Sequence, residues 1–275
     1  MRSAPLNLLL DCALRHITQL LLFLSLTASL AIPHPAGGAE LTQTIERVKP
    51  SIVAIGTFLK VRSPAVQFGG TGFVVADGRY VVTNAHVAMR PLDEEKKESR
   101  VVLVSKDGAG QVRAAEVVAV DKDHDLALLK IAGDPLPALK LGDSAGVREG
   151  QQLVLTGFPI VAVLGFHPAT HRAMIAAITP VALPGITAQQ LTAQAIDRIR
   201  NSFYHVFQLD GTAYPGNSGS PLYDPDDGTV YGIINAVFVQ GTREAAISRP
   251  SGITYAIPSQ YIREMLRNAK IAGFE

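Results

Sequence analysis

Short strand-like segments separated by glycine- and proline-containing turns run through most of this chain, and they limit its fold more than any other feature. Such a pattern is typical of an all-β sandwich or barrel. Two groups of strands, at about 50–134 and about 150–258, predict two barrels with a bridge between them. The expected strands are Ser51–Leu59, Gly72–Val75, Tyr80–Thr83, Val101–Val104, Ala114–Val120, Leu126–Ile131, Gln152–Thr156, Ala173–Ile178, Val206–Leu209, Val230–Val239 and Ile253–Ile257.

Helices are expected beside the strands at three places, which are Leu41–Val48, 187–201 and 259–270. Thr187 to Gln190 form a capping box, and apolar residues follow at helical spacing. This insertion in the second barrel either plugs a barrel end or shapes a cleft. Ser259 is expected to cap the C-terminal helix.

The N-terminal segment, residues 1–39, has the layout of a secretory signal peptide. Basic residues precede an uncharged, mostly apolar run from Leu20 to Ile32, and small residues follow it. Ala39 is the best cleavage position and Ala31 the second. The run is short for a membrane-spanning helix, which needs ~20 residues. We therefore expect a secreted or periplasmic protein without stable membrane insertion, and an uncleaved membrane anchor is the alternative.

The segment Gly216 to Leu222 reads Gly-Asn-Ser-Gly-Ser-Pro-Leu and places Ser218 between two glycines. Glycines on both sides suit a serine hydroxyl held on a tight turn. In such a turn, Gly216-Asn217-Ser218 can form an oxyanion hole in which the N–H groups of Gly216 and Ser218 converge on one point. The alternative is an ordinary surface loop.

A serine nucleophile needs a base, and the chain offers a histidine and an aspartate next to strand-like runs. His86 follows Tyr80-Val81-Val82, and Asp125 opens the run from Leu126. The order His86, Asp125, Ser218 is that of chymotrypsin-like enzymes, whereas subtilisin-like enzymes and α/β-hydrolases use other orders. Asp123 is the alternative carboxylate.

Eight stretches in the right order resemble the protease domain of the HtrA (Deg) family of bacterial chymotrypsin-fold serine peptidases. The resemblance implies a chymotrypsin-like double six-stranded β-barrel over 40–275. It also implies that His86 is the general base, Asp125 its orienting acid and Ser218 the nucleophile. The stretches are Gly70–Val75, Thr83–Val87, Asp125–Leu129, Leu141–Ser144, Gly157–Pro159, Gly216–Leu222, Gly232–Asn235 and Gly252–Pro258.

The chain departs from the HtrA pattern at two points. Ser220 stands where HtrA proteins usually have glycine, as in some glutamyl endopeptidases of the same fold. The sequence ends at Glu275, so we expect no PDZ domain after the peptidase domain. Asn217 precedes the nucleophile where chymotrypsin-like zymogens have an aspartate. An uncharged residue there predicts that no salt bridge to a new N-terminus is needed for activation.

The resemblance also places a substrate pocket about six residues before the nucleophile. Its neutral, small residues would leave a bound Arg or Lys side chain without a counter-charge. Glutamyl endopeptidases carry a histidine at the position of Asn235, which disfavours glutamate. We expect a broad preference for small aliphatic side chains at P1, the residue before the cut. The expected lining residues are Thr212, Ala213, Asn235, Ala236, Val237 and Gly252.

Composition and the remaining motifs limit the kinds of partner and ligand that we expect. A net charge of +1 gives no reason to expect nucleic acid, and we expect protein or peptide substrates, without cofactor or metal. The segment that starts at Asp121 resembles the start of an EF-hand, but Leu126 and Ala132 stand where that loop has glycine and glutamate, so we expect no calcium there. His167 and His171 flank a proline and are expected to be loop histidines, as are His124 and His205. The competing hypothesis is a protease-like scaffold that binds unfolded or envelope proteins without cutting them.

Overall fold

The computed structural model describes residues 37–106, 109–161, 165–182, 203–235 and 253–274. Leu41–Glu275 forms one compact unit, and Met1–Glu40 forms another, of which only 37–40 are described. The helix expected over 187–201 and the signal peptide up to residue 36 therefore lie outside the described residues. None of the described helices has the length and apolar character needed to cross a membrane.

The first barrel is a closed antiparallel sheet of six strands in the order β1-β2-β3-β6-β5-β4. A register shift between Ile55 and Gly56 bends β1 against β2. A Cβ on Gly56 would lie 2.5 Å from the Gln67 carbonyl oxygen, so glycine permits this close backbone approach. The strands are β1 Ile52–Phe58, β2 Val66–Val75, β3 Tyr80–Asn84, β4 Ser99–Lys106, β5 Ala109–Asp121 and β6 Leu126–Ile131.

The second barrel repeats this plan in the order β10-β11-β12-β9-β8-β7, again closed and antiparallel. Two closed six-stranded barrels confirm the predicted fold. Closure leaves no unpaired sheet edge in either barrel. The strands are β7 Gln152–Gly157, β8 Ala169–Ala182, β9 Phe203–Asp210, β10 Pro221–Tyr223, β11 Val230–Asn235 and β12 Ile253–Pro258.

Strand β10 was not predicted, and β2 and β8 are longer than predicted. β10 has only three residues and directly follows the glycine–serine segment, so its sequence offers no alternation to detect. The first half of β2 lies before the predicted start at Gly72 and contains Gly69 and Gly70. Pairing with β1 outweighs their low strand propensity.

Apolar residues form a core inside each barrel and a third core between the barrels. In β1, alternate residues serve different cores: Val53 and Ile55 fill the first barrel, while Ile52 and Ala54 join the core between the barrels. That shared core also contains Tyr223 of β10. Burial on both faces explains the nearly continuous apolar runs of these strands.

Three described helices accompany the barrels: α1 Gly37–Val48, α2 Ala85–Ala88 and α3 Ser259–Asn268. The expectation that Ser259 caps α3 was wrong. The Ser259 hydroxyl donates to the Gly142 carbonyl oxygen at 2.9 Å and is fully buried. The free N–H of Gln260 donates instead to the Ser144 hydroxyl at 3.1 Å. A serine from the inter-barrel segment therefore satisfies the start of the helix.

Candidate active site

His86 and Asp125 meet because their strands are neighbours in the first barrel. The β3–β6 register pairs Asn84 with Leu126, so the residues after β3 face the residue before β6. His86 Nδ1 lies 2.6 Å from Asp125 Oδ2, and the His86 N–H donates to Asp125 Oδ1 at 2.8 Å. A carboxylate can only accept, so Nδ1 carries the proton and Nε2 of the neutral ring is free to act as a base.

The main chain of Asp125 is fixed as firmly as its carboxylate. Its φ angle is +51°, in the left-handed region that non-glycine residues seldom adopt. The Ala85 N–H and the Asn84 amide both donate to the Asp125 carbonyl oxygen, at 3.0 and 3.2 Å. The alternative acid, Asp123, uses its N–H within the same turn, donating to Asp121. The structure thus pairs His86 with Asp125.

A third donor reaches the Asp125 carboxylate from the second barrel. The Asn235 amide at the end of β11 donates to Asp125 Oδ2 at 2.9 Å, and the Asn235 side chain is almost fully buried. Asn235 was expected to line a substrate pocket, and this bond to Asp125 was not foreseen. The sequence signal was weak, because only the packing of one barrel against the other brings the two residues together.

The Ser218 segment is a tight turn with left-handed glycines on both sides. Gly216 and Gly219 have φ angles of +104° and +89°. A Cβ on Gly219 would lie 1.9 Å from the Thr71 carbonyl oxygen, and one on Gly216 would lie 2.3 Å from the Phe158 carbonyl oxygen. Both the angles and the space therefore demand glycine. Ser218 itself is 7% exposed.

The two N–H groups predicted to receive an oxyanion, those of Gly216 and Ser218, differ from the N–H of Asn217 between them. The Asn217 N–H closes the turn by donating to the Tyr214 carbonyl oxygen at 2.9 Å. The N–H groups of Gly216 and Ser218 donate to no other described residue. These two unpaired N–H groups flank the hydrogen-bonded N–H of Asn217, and such a pair suits an oxygen ligand that accepts from both.

One threonine of the first barrel holds the serine turn of the second. The Thr71 N–H donates to the Ser218 carbonyl oxygen at 2.8 Å, and the Thr71 hydroxyl donates to the Gly216 carbonyl oxygen at 2.7 Å. The same hydroxyl accepts the Phe158 N–H at 3.0 Å. Thr71 is fully buried, so these bonds lie across the interface between the barrels.

His86 and Asp125 adjoin the paired strands β3 and β6 of the first barrel, and Ser218 lies just before β10 of the second. The serine turn and Asp125 are connected through two neighbouring residues of β11. The Gly219 N–H donates to the Ile234 carbonyl oxygen, and the next residue, Asn235, donates to Asp125. Among the described residues, no hydrogen bond joins the Ser218 hydroxyl to His86. The His86 side chain is 30% exposed.

Comparison with known proteins agrees with this geometry. The trypsin-like peptidase domain family matches residues 70–233, which is more than half of the chain. The chain belongs to this family. The match begins in β2, before His86, and ends in β11, after the Ser218 turn.

The relatives of this peptidase domain are longer proteins. A probable periplasmic serine endoprotease DegP-like of Halomonas elongata is 32% identical over 202 residues, which are 72% of this chain and 35% of the relative. Serine protease HTRA1A of Danio rerio is 32% identical over 231 residues, which are 82% of this chain and 40% of the relative. The chain thus spans well under half the length of these relatives.

A solved structure supports the same assignment. The HtrA-type protease AlgW with tripeptide is 26% identical to this chain, with a TM-score of 0.58. The match covers 83% of this chain and 62% of that one. The family membership and the double-barrel fold of the peptidase domain are therefore established together.

The predicted floor of the substrate pocket is fixed by a residue that the sequence did not suggest. The Thr254 hydroxyl donates to the Gly211 carbonyl oxygen at 2.7 Å and accepts the Ala213 N–H at 2.9 Å. Thr254 is buried, and Thr212 between its two partners is partly exposed. The other predicted lining residues, Ala236, Val237 and Gly252, lie outside the described residues.

Beneath the serine turn lies a buried polar cluster. Both polar side-chain atoms of Asn217 and the Ser220 hydroxyl are buried without a hydrogen-bond partner among the described residues. A Cβ built on Gly157 would lie 1.9 Å from the Ser220 hydroxyl oxygen and 3.1 Å from Asn217 Oδ1. Ser220, the departure from the HtrA pattern, therefore occupies space that only a glycine at 157 leaves open.

Proposed function

We propose that the chain is a serine endopeptidase in which His86, Asp125 and Ser218 form the catalytic triad. The observation that carries this proposal is the pair of hydrogen bonds between His86 and the Asp125 carboxylate. Asp125 fixes the tautomer and orientation of the imidazole and stabilises its charged form. His86 Nε2 then removes the Ser218 hydroxyl proton as Oγ bonds to the substrate carbonyl carbon.

The proposed reaction has two halves, in which an ester to Ser218 first forms and is then hydrolysed. The proton taken by His86 passes to the leaving amine, the peptide C–N bond breaks, and an ester to Ser218 remains. Water then repeats the sequence and releases the acid. The N–H groups of Gly216 and Ser218 stabilise the negative oxygen of each tetrahedral intermediate.

Replacing the nucleophile tests this proposal. Ser218→Ala is expected to lower kcat on an unfolded protein such as casein by at least about 10⁴-fold, leaving only binding and oxyanion stabilisation. A fluorophosphonate should label Ser218 of the unmodified protein and fail to label His86→Ala, since only an activated serine reacts. Unlabelled, inactive but folded protein would favour the non-catalytic scaffold.

The proposal extends to a preference for small aliphatic side chains at P1. Thr212 supplies no charge, and the hydrogen bonds of Thr254 hold its segment in one conformation. A buried Arg, Lys or Glu side chain would find no oppositely charged group at Thr212 or Ala213, the described residues of this segment. Cleavage-site profiling on a denatured proteome should show Val, Ala, Ile and Leu before the cut. A dominant charged P1 residue would refute this preference.

Activation and location complete the proposal. Asn217 is uncharged, and its N–H already closes the turn, so no new N-terminal amine is needed. Chains beginning at Glu40, or a few residues on either side, should have equal activity. The predicted signal peptide and the periplasmic name of one relative support export to the periplasm or beyond. Fractionation of cells that express the full chain tests this location.

A further inference from the structure

His124 and Asp121 form a second histidine–aspartate pair, and His124 directly precedes Asp125 in the sequence. His124 Nδ1 is 2.7 Å from Asp121 Oδ2, and the N–H groups of Asp123 and His124 both donate to Asp121 Oδ1 at 3.1 Å. The Asp125 N–H faces the Lys122 carbonyl oxygen at 3.4 Å. The whole turn that ends in the left-handed Asp125 is thus organised around one carboxylate.

The His124 ring is held from two other elements as well. It stacks on Tyr261 of α3, with ring centres 4.1 Å apart and planes 20° apart. Tyr204 of β9 meets the same ring edge-on at 4.9 Å. The Tyr261 hydroxyl accepts the His205 N–H at 3.2 Å, which joins α3 to β9. One imidazole therefore links the Asp125 turn of the first barrel to a helix and a strand beyond it.

The pKa values of Asp121 and Tyr204, which both contact the His124 ring, are shifted by their surroundings. Burial alone would raise the pKa of Asp121, but the hydrogen bonds from the His124 ring and N–H outweigh it and lower that pKa. Burial, followed by the negative charge of Asp125, raises the pKa of Tyr204 to about 12. Tyr204 therefore stays neutral at physiological pH and lies close enough to sense the Asp125 carboxylate.

We infer that His124 is a positioning residue that holds Asp125 in its left-handed conformation against His86. This inference rests on the proposed peptidase function. A second catalytic pair is a poorer explanation, because both Asp121 oxygens are already occupied and tyrosines contact the ring on its face and edge. Without the His124 bond, the strained Asp125 backbone has a weaker restraint.

Two substitutions separate the hydrogen bond from the aromatic contact. His124→Phe keeps a ring for Tyr261 but cannot donate to Asp121, whereas His124→Asn can place an amide N–H where Nδ1 stood and loses the ring. We expect His124→Phe to lower kcat roughly tenfold with little change in KM, the size of one hydrogen bond to a charged group. His124→Asn should restore most of that loss.

A spectroscopic readout makes the test independent of turnover. The His86 Nδ1 proton, held in a 2.6 Å bond to Asp125, should give a low-field proton resonance in the unmodified protein. It should shift upfield or broaden in His124→Phe and return in His124→Asn. His205→Asn is the matched control, since that exposed side chain lies beside the cluster and uses only its backbone in it.

The outcomes are distinguishable. A folded His124→Phe protein with unchanged kcat and resonance overturns the inference, as does a change in KM alone. If the unmodified protein shows no Ser218-dependent activity, the proposed function fails, and the resonance still decides the role of His124. If His124→Phe does not fold, Asp121→Asn weakens the same bond from the other side and should give the same loss of kcat and resonance.

Discussion

At the residue scale, Asp125 is the most heavily constrained side chain of the site. Its carboxylate accepts the His86 N–H, the His86 ring and the Asn235 amide, and its carbonyl oxygen accepts two further donors. In the proposed mechanism, these three donors orient the carboxylate that stabilises the imidazolium of His86. Each donor should therefore contribute to the rate.

The Asn235 amide is the donor to the Asp125 carboxylate that a substitution can remove without changing His86. Asn235→Ala should lower kcat roughly tenfold by withdrawing one hydrogen bond from a charged, partly buried group. Asn235→Ser, with a shorter donor, should lose less. Steady-state kinetics on a small aliphatic P1 substrate would show the difference. A rise in KM with unchanged kcat would instead place Asn235 in the substrate pocket, as the sequence alone suggested.

Gly157 and Ser220 form a complementary pair. Gly157→Ala should destabilise the fold by about 1–3 kcal/mol, because its Cβ would meet the Ser220 hydroxyl. Ser220→Ala should be close to neutral, since that hydroxyl has no partner among the described residues. In the double variant, the Gly157→Ala penalty should shrink by at least about 1 kcal/mol. Urea unfolding of all four proteins tests this, and strict additivity would contradict it.

At the scale of elements, Glu98 fastens the β1–β2 hairpin to the segment before β4. The Thr57 hydroxyl and the Arg62 guanidinium donate to Glu98 Oε1 at 2.5 and 2.7 Å, and the Asp93 N–H donates to Oε2 at 3.0 Å. The hydrogen bonds from Thr57, the Asp93 backbone and Arg62 lower the pKa of Glu98 from 4.5 to about 2. The Glu98 side chain is 9% exposed.

This pKa gives a pH-dependent prediction. Because the folded-state pKa of Glu98 lies below the unfolded value, its contribution to stability is complete above about pH 4.5 and disappears as pH falls towards about 2. Glu98→Gln should therefore be less stable than the unmodified protein at pH 7, and the gap should close over that acidic range. Denaturant melts at several pH values would measure it. A gap that stays constant with pH would contradict the prediction.

The elements also show what sequence can and cannot predict. Apolar runs between turn residues located most strands, and hydrogen bonds join His86 to Asp125, which the sequence places beside two of those runs. Strand β10 was not predicted because three residues are too few to show an alternating pattern. The predicted Ser259 cap was wrong because the Ser259 hydroxyl donates to the distant Gly142 carbonyl oxygen instead. No local sequence pattern predicts hydrogen bonds between residues that are 41 to 145 positions apart. The bonds made by Asn235, Thr71 and Thr254 are of this kind.

At the scale of the whole molecule, both barrels contribute residues to the candidate active site. His86 and Asp125 belong to the first, and Ser218 and Asn235 to the second. The shared apolar core holds the barrels together, and Thr71 provides polar contacts between them at the serine turn. The relative placement of the proposed base and nucleophile thus depends on the interface more than on either barrel.

Thr71→Val tests this dependence. The substitution keeps the shape of the side chain but leaves the Gly216 carbonyl and the Phe158 N–H without their hydroxyl partner. Unpaired buried groups cost about 1–3 kcal/mol each, so stability should fall by a few kcal/mol and activity with it. Thr71→Ser, which retains the hydroxyl, should recover most of both. Full stability and activity in Thr71→Val would contradict the interface argument.

The Thr71 amide proton offers a direct view of that interface. Its acceptor is the Ser218 carbonyl in the other barrel, so the proton can exchange with solvent deuterium only when the barrels part or the chain unfolds. If its exchange is faster than that of amides inside either barrel, the cleft opens while both barrels stay folded. Such an enzyme would be silenced reversibly by a motion of its halves, well before it melted.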